Sequence, residues 1–380
     1  MDTSIHLSGK NVEGNFPVAP GGRRIMIPSF QLLFQNSDPN QSDAELYRKD
    51  LYLAELAEPL GFSAIWCVEH HFDAQYSMCP DNMQLLSYLA AKTNSIELVP
   101  AAVILPWWTQ PLRVAEKIAM LDILAEGRVR LGLGRGLSRM EYASLGMDMN
   151  EARERFDESA EMVLRALETG VISGDGPLFP QPSAPIAPAP PRGFRDRTVC
   201  IAMSPDSLDV AANLGAAMAT FVQFPIEKHA PLIESYRESF RKKQGREAPA
   251  PTLTEFVYCA EDPEEAKQTA TEYISRYFIQ VMRHYEFGGT HFAGTSGYES
   301  YNAVAEVIRE AGQEASAAAY VDAQTWGTPE QIIEKVRARR AVIGDYHLNC
   351  AFTYAGLPHD KAEASMRLFA EKVIPVLKDL

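Results

Sequence analysis

Residues 96–105 read IELVPAAVIL, a nearly continuous apolar run of strand length. A strand with one face in water alternates apolar and polar residues. A run without alternation suits a strand buried on both faces, as in a parallel sheet. Working outward, the same kind of run recurs. Residues 24–34 (RIMIPSFQLLF) and 62–68 precede it, and 129–134, 198–203, 216–222, 253–260 and 347–352 follow it. Helical spacing fills the intervals. Leu46, Leu53, Leu56 and Leu60 share a face, with Gly61 at the C-cap position. Val114, Ile118, Leu121 and Ala125 mark another helix, which Gly127 ends. Further helices are expected at 81–93, 151–169, 206–214, 227–243 and 263–286. One more is expected at 329–340, with Thr328 as N-cap and Pro329 in its first turn, and a last one carries Met366, Phe369, Val373 and Leu377. Eight strands, each followed by helix, imply a parallel sheet and favour a closed (β/α)8 TIM barrel over an open one. The barrel is expected to span 23–380 as one domain, behind a polar, Gly-rich N-terminal arm at 1–22.

Composition bounds the function. The chain has 380 residues and a formal charge of −14, with no Lys/Arg block longer than Arg241-Lys242-Lys243. That argues against a nucleic-acid partner. No apolar run reaches the roughly 18 residues of a membrane helix, and the first residues lack the apolar core of a secretory signal. The five cysteines, Cys67, Cys79, Cys200, Cys259 and Cys350, form no CxxC pair. Together these point to a soluble cytoplasmic protein in a reducing compartment, with no membrane partner.

Two stretches interrupt the repeating units. Residues 175–193 carry seven prolines between a helix and a strand, which reads as a rigid linker at the bottom of the barrel. Residues 287–325, with Gly288, Gly289 and Gly294, follow strand seven and so open at the top, which makes them a lid-like insertion.

Chemistry in such barrels gathers at the C-terminal ends of the strands. After strand two stands Cys67-Val68-Glu69-His70-His71-Phe72-Asp73. Zinc is one reading of so many donors. Neighbouring side chains on a strand point to opposite faces, however, so His70 and His71 should not share an ion, and HExxH is absent. A histidine beside a carboxylate suits proton transfer near neutral pH. After strand four, Gly132-Leu133-Gly134-Arg135-Gly136 misses the dinucleotide fingerprint. Its glycines and cation fit close backbone approach to an anion, or equally a tight turn with a solvated arginine. After strand five, Ser204 is placed as a helix N-cap with Pro205 behind it and Ser207 nearby. Free hydroxyls at a helix N-terminus suit phosphate, and a plain cap is the other reading. Trp107 and Trp108 follow strand three, either lining a substrate pocket or covering the barrel top.

These segments resemble the bacterial luciferase family of flavin-dependent monooxygenases, in its alkanal-oxidising branch. The likeness rests on EHHF at 69–72, AAVILP at 101–106, GRxRxGxxRGL at 127–137 and GxDMxxxR at 146–153. GTPEQ at 327–331 and SMRLFAEKVIPVLK at 365–378 extend it. The resemblance implies a barrel that binds reduced FMN (FMNH2), delivered by a separate flavin reductase. O2 is the co-substrate, and a C4a-peroxyflavin oxidises an organic molecule. It implies His70 as the catalytic histidine with Glu69 as its acidic neighbour. It assigns Arg135, Arg153, Ser204 and Ser207 to the flavin phosphate, and Ala101-Ala102, joined by a cis peptide, to the flavin ring. It also implies a homodimer formed through helices at 81–93 and 109–125, where the stripe Val114, Ile118, Leu121 lies. Gly134 stands where luciferase has a reactive cysteine, and the 107–110 loop carries one extra residue, so light emission is not implied. The expected substrate is a small apolar or aromatic compound near Trp107 and Trp108. Two other readings stay open: a deazaflavin-dependent hydride-transferring oxidoreductase on the same fold, and a non-catalytic flavin-binding protein.

Overall fold

The computed structural model describes residues 26–380, so the expected arm at 1–22 lies outside the described residues. Among the described residues twelve strands occur: β1 Ser29–Leu32, β2 Ala64–Cys67, β3 Glu97–Pro100, β4 Val103–Ile104, β5 Leu131–Gly134, β6 Val171–Gly174, β7 Gln181–Pro185, β8 Thr198–Ile201, β9 Ala217–Phe221, β10 Thr252–Cys259, β11 Thr325–Gly327 and β12 His347–Ala351. The main sheet runs β3-β2-β1-β12-β10-β9-β8-β5-β4, with every pairing parallel. β3 and β4 are two halves of one strand, interrupted at Ala101-Ala102, where the peptide is cis as expected. One half pairs with β2 and the other with β5, which closes the ring. The expected (β/α)8 barrel is therefore present, with all eight strands where the apolar runs lie.

Local chemistry sets the helix boundaries. The Ser42 side chain accepts from Glu45 N–H, and Asp81 accepts from Gln84 N–H. Thr328 and Gln331 form a reciprocal capping box with Pro329 in the first turn. Inside the barrel, one side is apolar, with Trp66, Val99, Val199 and small alanines of β2 and β9. The other side carries a buried polar set. Asn349 Nδ2 donates to Gln31 Oε1 (2.7 Å) and Thr254 Oγ1 (3.0 Å), and Ser29 Oγ donates to Asn349 Oδ1 (2.8 Å).

Two connections differ from their expected form. The proline-rich stretch is not only a linker: β7 pairs antiparallel with β6, and Phe179 and Ile186 are buried beside it. Proline is tolerated there because the two-stranded ribbon leaves edge positions that need no N–H donor. The insertion after β10 is helical. Helix Pro263–His284 leads to Glu299–Ala311 and Gln313–Ala323 before β11 runs beside β10.

Candidate active site

A cavity of about 370 Å³ opens at the top of the barrel, walled by strand ends on one side and by the helical insertion on the other. Why the strands can come so close is read from their glycines. A Cβ on Gly132 would lie 2.5 Å from Pro100 O, and one on Gly134 would lie 2.6 Å from Ala102 Cβ. These glycines therefore serve the approach of β5 to the broken strand, not the approach of backbone to an anion. No cysteine side chain fits at 134 without displacing Ala102. Ala101, Ala102 and Gly134 all line the cavity floor.

One end of the cavity is cationic. Arg135 and Arg153 both line it, and Nη1 of Arg135 and Nη2 of Arg153 are buried without a hydrogen-bond partner. Burial and the neighbouring Arg135 charge push the Arg153 pKa down, so the pair is electrostatically strained toward accepting an anion. Arg153 Nη1 has only a distant carboxylate, Asp157 at 3.9 Å. The insertion closes over this end. The Arg135 guanidinium stacks on Tyr298 at 3.9 Å, Tyr298 donates to Gly136 O (2.7 Å), and a Cβ on Gly297 would lie 2.7 Å from Arg135 Nη1. The serines behave differently from the expectation of free hydroxyls. Ser207 Oγ accepts from Met203 N–H (3.0 Å) and Ser204 N–H (2.9 Å), and Ser204 Oγ caps Ser207 N–H in a reciprocal box. Ser207 still lines the cavity, whereas Ser204 is buried behind it.

The opposite wall carries His70. Its Nδ1 lies 3.2 Å from Glu141 Oε1, and the same oxygen accepts the His71 backbone N–H at 2.7 Å. Burial by itself would raise the Glu141 carboxyl. The His70 and His284 imidazoles outweigh that and bring it to about 2. Glu69 and His70 lie past the end of β2 and both line the cavity, but they have different partners. The Glu69 carboxylate accepts Ile104 N–H at 2.8 Å and lies 3.7 Å from His71 Nε2, and burial raises its pKa. Glu141 and His284 are the residues that sequence reading missed. Glu141 sits three positions after Ser138 and reads as the partner of an N-cap, a role its N–H does fill at 3.4 Å from Ser138 Oγ. His70, Glu141 and His284 offer ligand atoms within 4.8 Å of one another. His284 Nδ1 lies 3.2 Å from Asp73 Oδ2, its Nε2 is 3.5 Å from Glu141 Oε2 with no hydrogen-bond partner, and the two carboxylates raise its pKa against burial.

The tryptophans are elsewhere. Trp107 is buried edge-on against His71 (5.3 Å) and Tyr142 (5.9 Å), and Trp108 lies under the Lys117 ammonium (4.8 Å). Neither lines the cavity. The apolar wall comes instead from the insertion and the helix before it, through Tyr277, Tyr285, Tyr301, Val304, Ile308 and Tyr320.

A profile of the luciferase-like monooxygenases matches residues 29–346. The chain belongs to that family. Among relatives, an uncharacterized Sinorhizobium fredii protein, y4vJ, is 32% identical over 40% of this chain, and the match spans only 44% of that protein's length. The oxygenase component of the flavin-dependent trigonelline monooxygenase of Acinetobacter baylyi is 28% identical over 61% of this chain and 64% of its own. The alkanal monooxygenase alpha chain of Photobacterium leiognathi is 24% identical over 92% and 98%. Among solved structures, the monooxygenase RslO1 of Streptomyces bottropensis superposes with a TM-score of 0.71 at 27% identity, covering 92% of this chain and 99% of that one. The oxygenating constituent of the 3,6-diketocamphane monooxygenase of Pseudomonas putida, solved with FMN, gives 0.73 at 18% identity over 92% and 98%. An F420-dependent secondary alcohol dehydrogenase shares the fold at 0.67 and 16% identity, over 93% and 99%.

Proposed function

We propose that the chain is the oxygenase component of a two-component monooxygenase that takes reduced FMN from a separate reductase and uses O2 to oxidise a small apolar or aromatic molecule. One observation carries the reading. Two adjacent guanidiniums with unpartnered buried N–H groups face one end of a cavity whose other wall presents His70 on Glu141. The residues fit the group: Arg135 and Arg153 supply the donors a phosphate dianion needs, with Ser207 beside them, and the alanine floor leaves room for a flat ring. Reduced flavin, when bound, supplies the two electrons that activate oxygen. His70 holds and returns a proton at the cavity wall, while Glu141 orients its ring through Nδ1. The tyrosine-rich insertion excludes water and sets an apolar preference, a part first assigned to Trp107 and Trp108. The names of the trigonelline and diketocamphane relatives support a flavin and a partner reductase.

The protein is also proposed to be a cytoplasmic homodimer. All five cysteines are free, with the Cys67 and Cys79 sulfurs 3.4 Å apart and unbonded, which suits a reducing compartment. The stripe Val114, Ile118, Leu121 is fully used against the barrel, but Tyr88, Met120, Ile123 and Leu124 on the same two helices are exposed. That second stripe is the face proposed to pair. Light scattering at micromolar concentration should give twice the chain mass, and a monomer would contradict the pairing.

The test of the reaction is a cofactor screen. FMN, reduced FMN under nitrogen and a deazaflavin are titrated by fluorescence, and oxygen is then admitted to the reduced complex. Reduced FMN should bind and consume oxygen. His70→Ala should still bind FMN but form product about 10²–10⁴-fold more slowly, releasing peroxide instead. Binding of the deazaflavin alone would support hydride transfer, and a His70→Ala variant with normal turnover would make His70 structural.

A further inference from the structure

Helix Pro263–His284 ends over the mouth of the barrel, and its last residue faces inward. The His284 side chain is fully enclosed. Its Nδ1 lies 3.2 Å from Asp73 Oδ2 and its Nε2 3.5 Å from Glu141 Oε2. His70 Nδ1 meets both Glu141 oxygens, Oε1 at 3.2 Å and Oε2 at 3.4 Å. Tyr76 stacks flat on the His284 ring at 3.9 Å and meets the His70 ring edge-on at 4.9 Å. Arg283 grips Asp73 from outside through 2.7 and 2.8 Å contacts. A series of close contacts, His70–Glu141–His284–Asp73, thus runs outward from the cavity wall and joins the loop after β2 to the end of helix Pro263–His284.

One carboxylate here serves two imidazoles. The groups facing His284 are Asp73, Tyr76 and His70 from the loop after β2, Glu141 from helix Arg139–Ser144, and Arg283, Tyr285 and Glu286 from its own end. His284 Nδ1 hydrogen-bonds Asp73, and Nε2, which has no hydrogen-bond partner, lies within ion-pair reach of Glu141, so the two carboxylates flank the ring and raise its pKa against burial. Its charge, when the ring is protonated, competes with His70 for Glu141.

We propose that His284 is a positioning residue for the reaction, which shares Glu141 with His70 and so keeps that carboxylate from locking a proton onto His70. The inference rests on His70 being the acid–base group. Without the second imidazole, Asp73 keeps Arg283 but Glu141 is left with His70 alone, and the proton that His70 must release is held harder. His284→Gln and Glu141→Gln therefore act in opposite directions, which a merely structural role does not produce.

Ring signals of the eight histidines are followed by NMR against pH in the flavin-free protein, a readout that does not depend on the flavin assignment. In His284→Gln the His70 signal should titrate about one unit higher, a tenfold gain in proton affinity, and in Glu141→Gln it should titrate lower. The pH at which turnover reaches half its maximum should move the same way in each variant. In the wild-type protein, which needs no substitution to fold, the His284 ring should still read as imidazolium at neutral pH. A neutral His284 ring there would overturn the proposal, as would a His70 signal that stays put or falls in folded His284→Gln. A turnover profile unmoved while His70 shifts would also overturn it. Failure of reduced FMN to bind the wild type would instead refute the flavin reading and leave the histidine coupling intact.

Discussion

Arg197 at the bottom of the barrel and Arg135 at its top are both guanidiniums stacked on an aromatic ring, Phe194 at 3.6 Å and Tyr298 at 3.9 Å. Their hydrogen bonds separate them. Arg197 uses all five of its N–H donors: Asp122 takes two at 2.6 and 2.7 Å, and the carbonyls of Gly193, Val129 and Arg192 take the others at 2.8, 2.8 and 2.9 Å. Arg135 leaves Nη1 buried and unpartnered. Leaving such a donor unmade costs free energy that a purely structural residue has no reason to bear. Saturation marks the arginine that holds the fold together, and its lack supports the proposal that Arg135 takes an anion.

The largest effect should come from breaking the saturated side. Arg197→Met strips the partner from Asp122, which is fully buried, and should destabilise the fold by about 3–5 kcal/mol in urea unfolding. A loss below about 1 kcal/mol would show that the two arginines do not differ as argued. Arg135→Ala is the converse. It should leave urea unfolding nearly unchanged and weaken FMN binding roughly tenfold or more, the worth of a charge-assisted contact. Reduced stability with intact FMN affinity would reverse the assignment of the two faces.

The smallest effect separates two carboxylates that are held equally low by different causes. Glu58, at the bottom, would be raised by burial, but the Ser95 hydroxyl and the N–H groups of Asn94, Ser95 and Ile96 bring it to about 2. Its stabilisation is complete above about 4.5, the ordinary carboxyl value, and is lost as pH falls through 2. The melting-temperature gap between wild type and Glu58→Gln should accordingly be widest above pH 5 and narrow in acid. A gap independent of pH would mean that the N–H cup around Glu58 does not hold the anion. At Glu141 the cause is imidazole charge, so its contribution also depends on His284 keeping its proton, and it fades on the alkaline side as well.

The eight strands were legible because strands buried on both faces cannot hide their apolar runs, 96–105 most plainly. The β6–β7 ribbon was not, since its strand is written in proline and carries no alternation. At the site, Arg135, Arg153 and His70 were found through glycine, strand ends and family likeness. Glu141 and His284 were not. Glu141 lies 71 residues from His70, and Asp73 lies 211 residues from His284, so only the closed ring brings them together. The tryptophans misled for a related reason: two large rings after a strand signal burial, but not which side of the loop they are buried on.

The claim that unpartnered arginines at the barrel top await a phosphate is tested most directly by titrating the wild-type protein with FMN and with riboflavin, which differ only in that group. The account predicts FMN binding at least tenfold tighter, with the difference shrinking as salt is raised and largely abolished in Arg135→Ala. Equal affinity for the two flavins would contradict it.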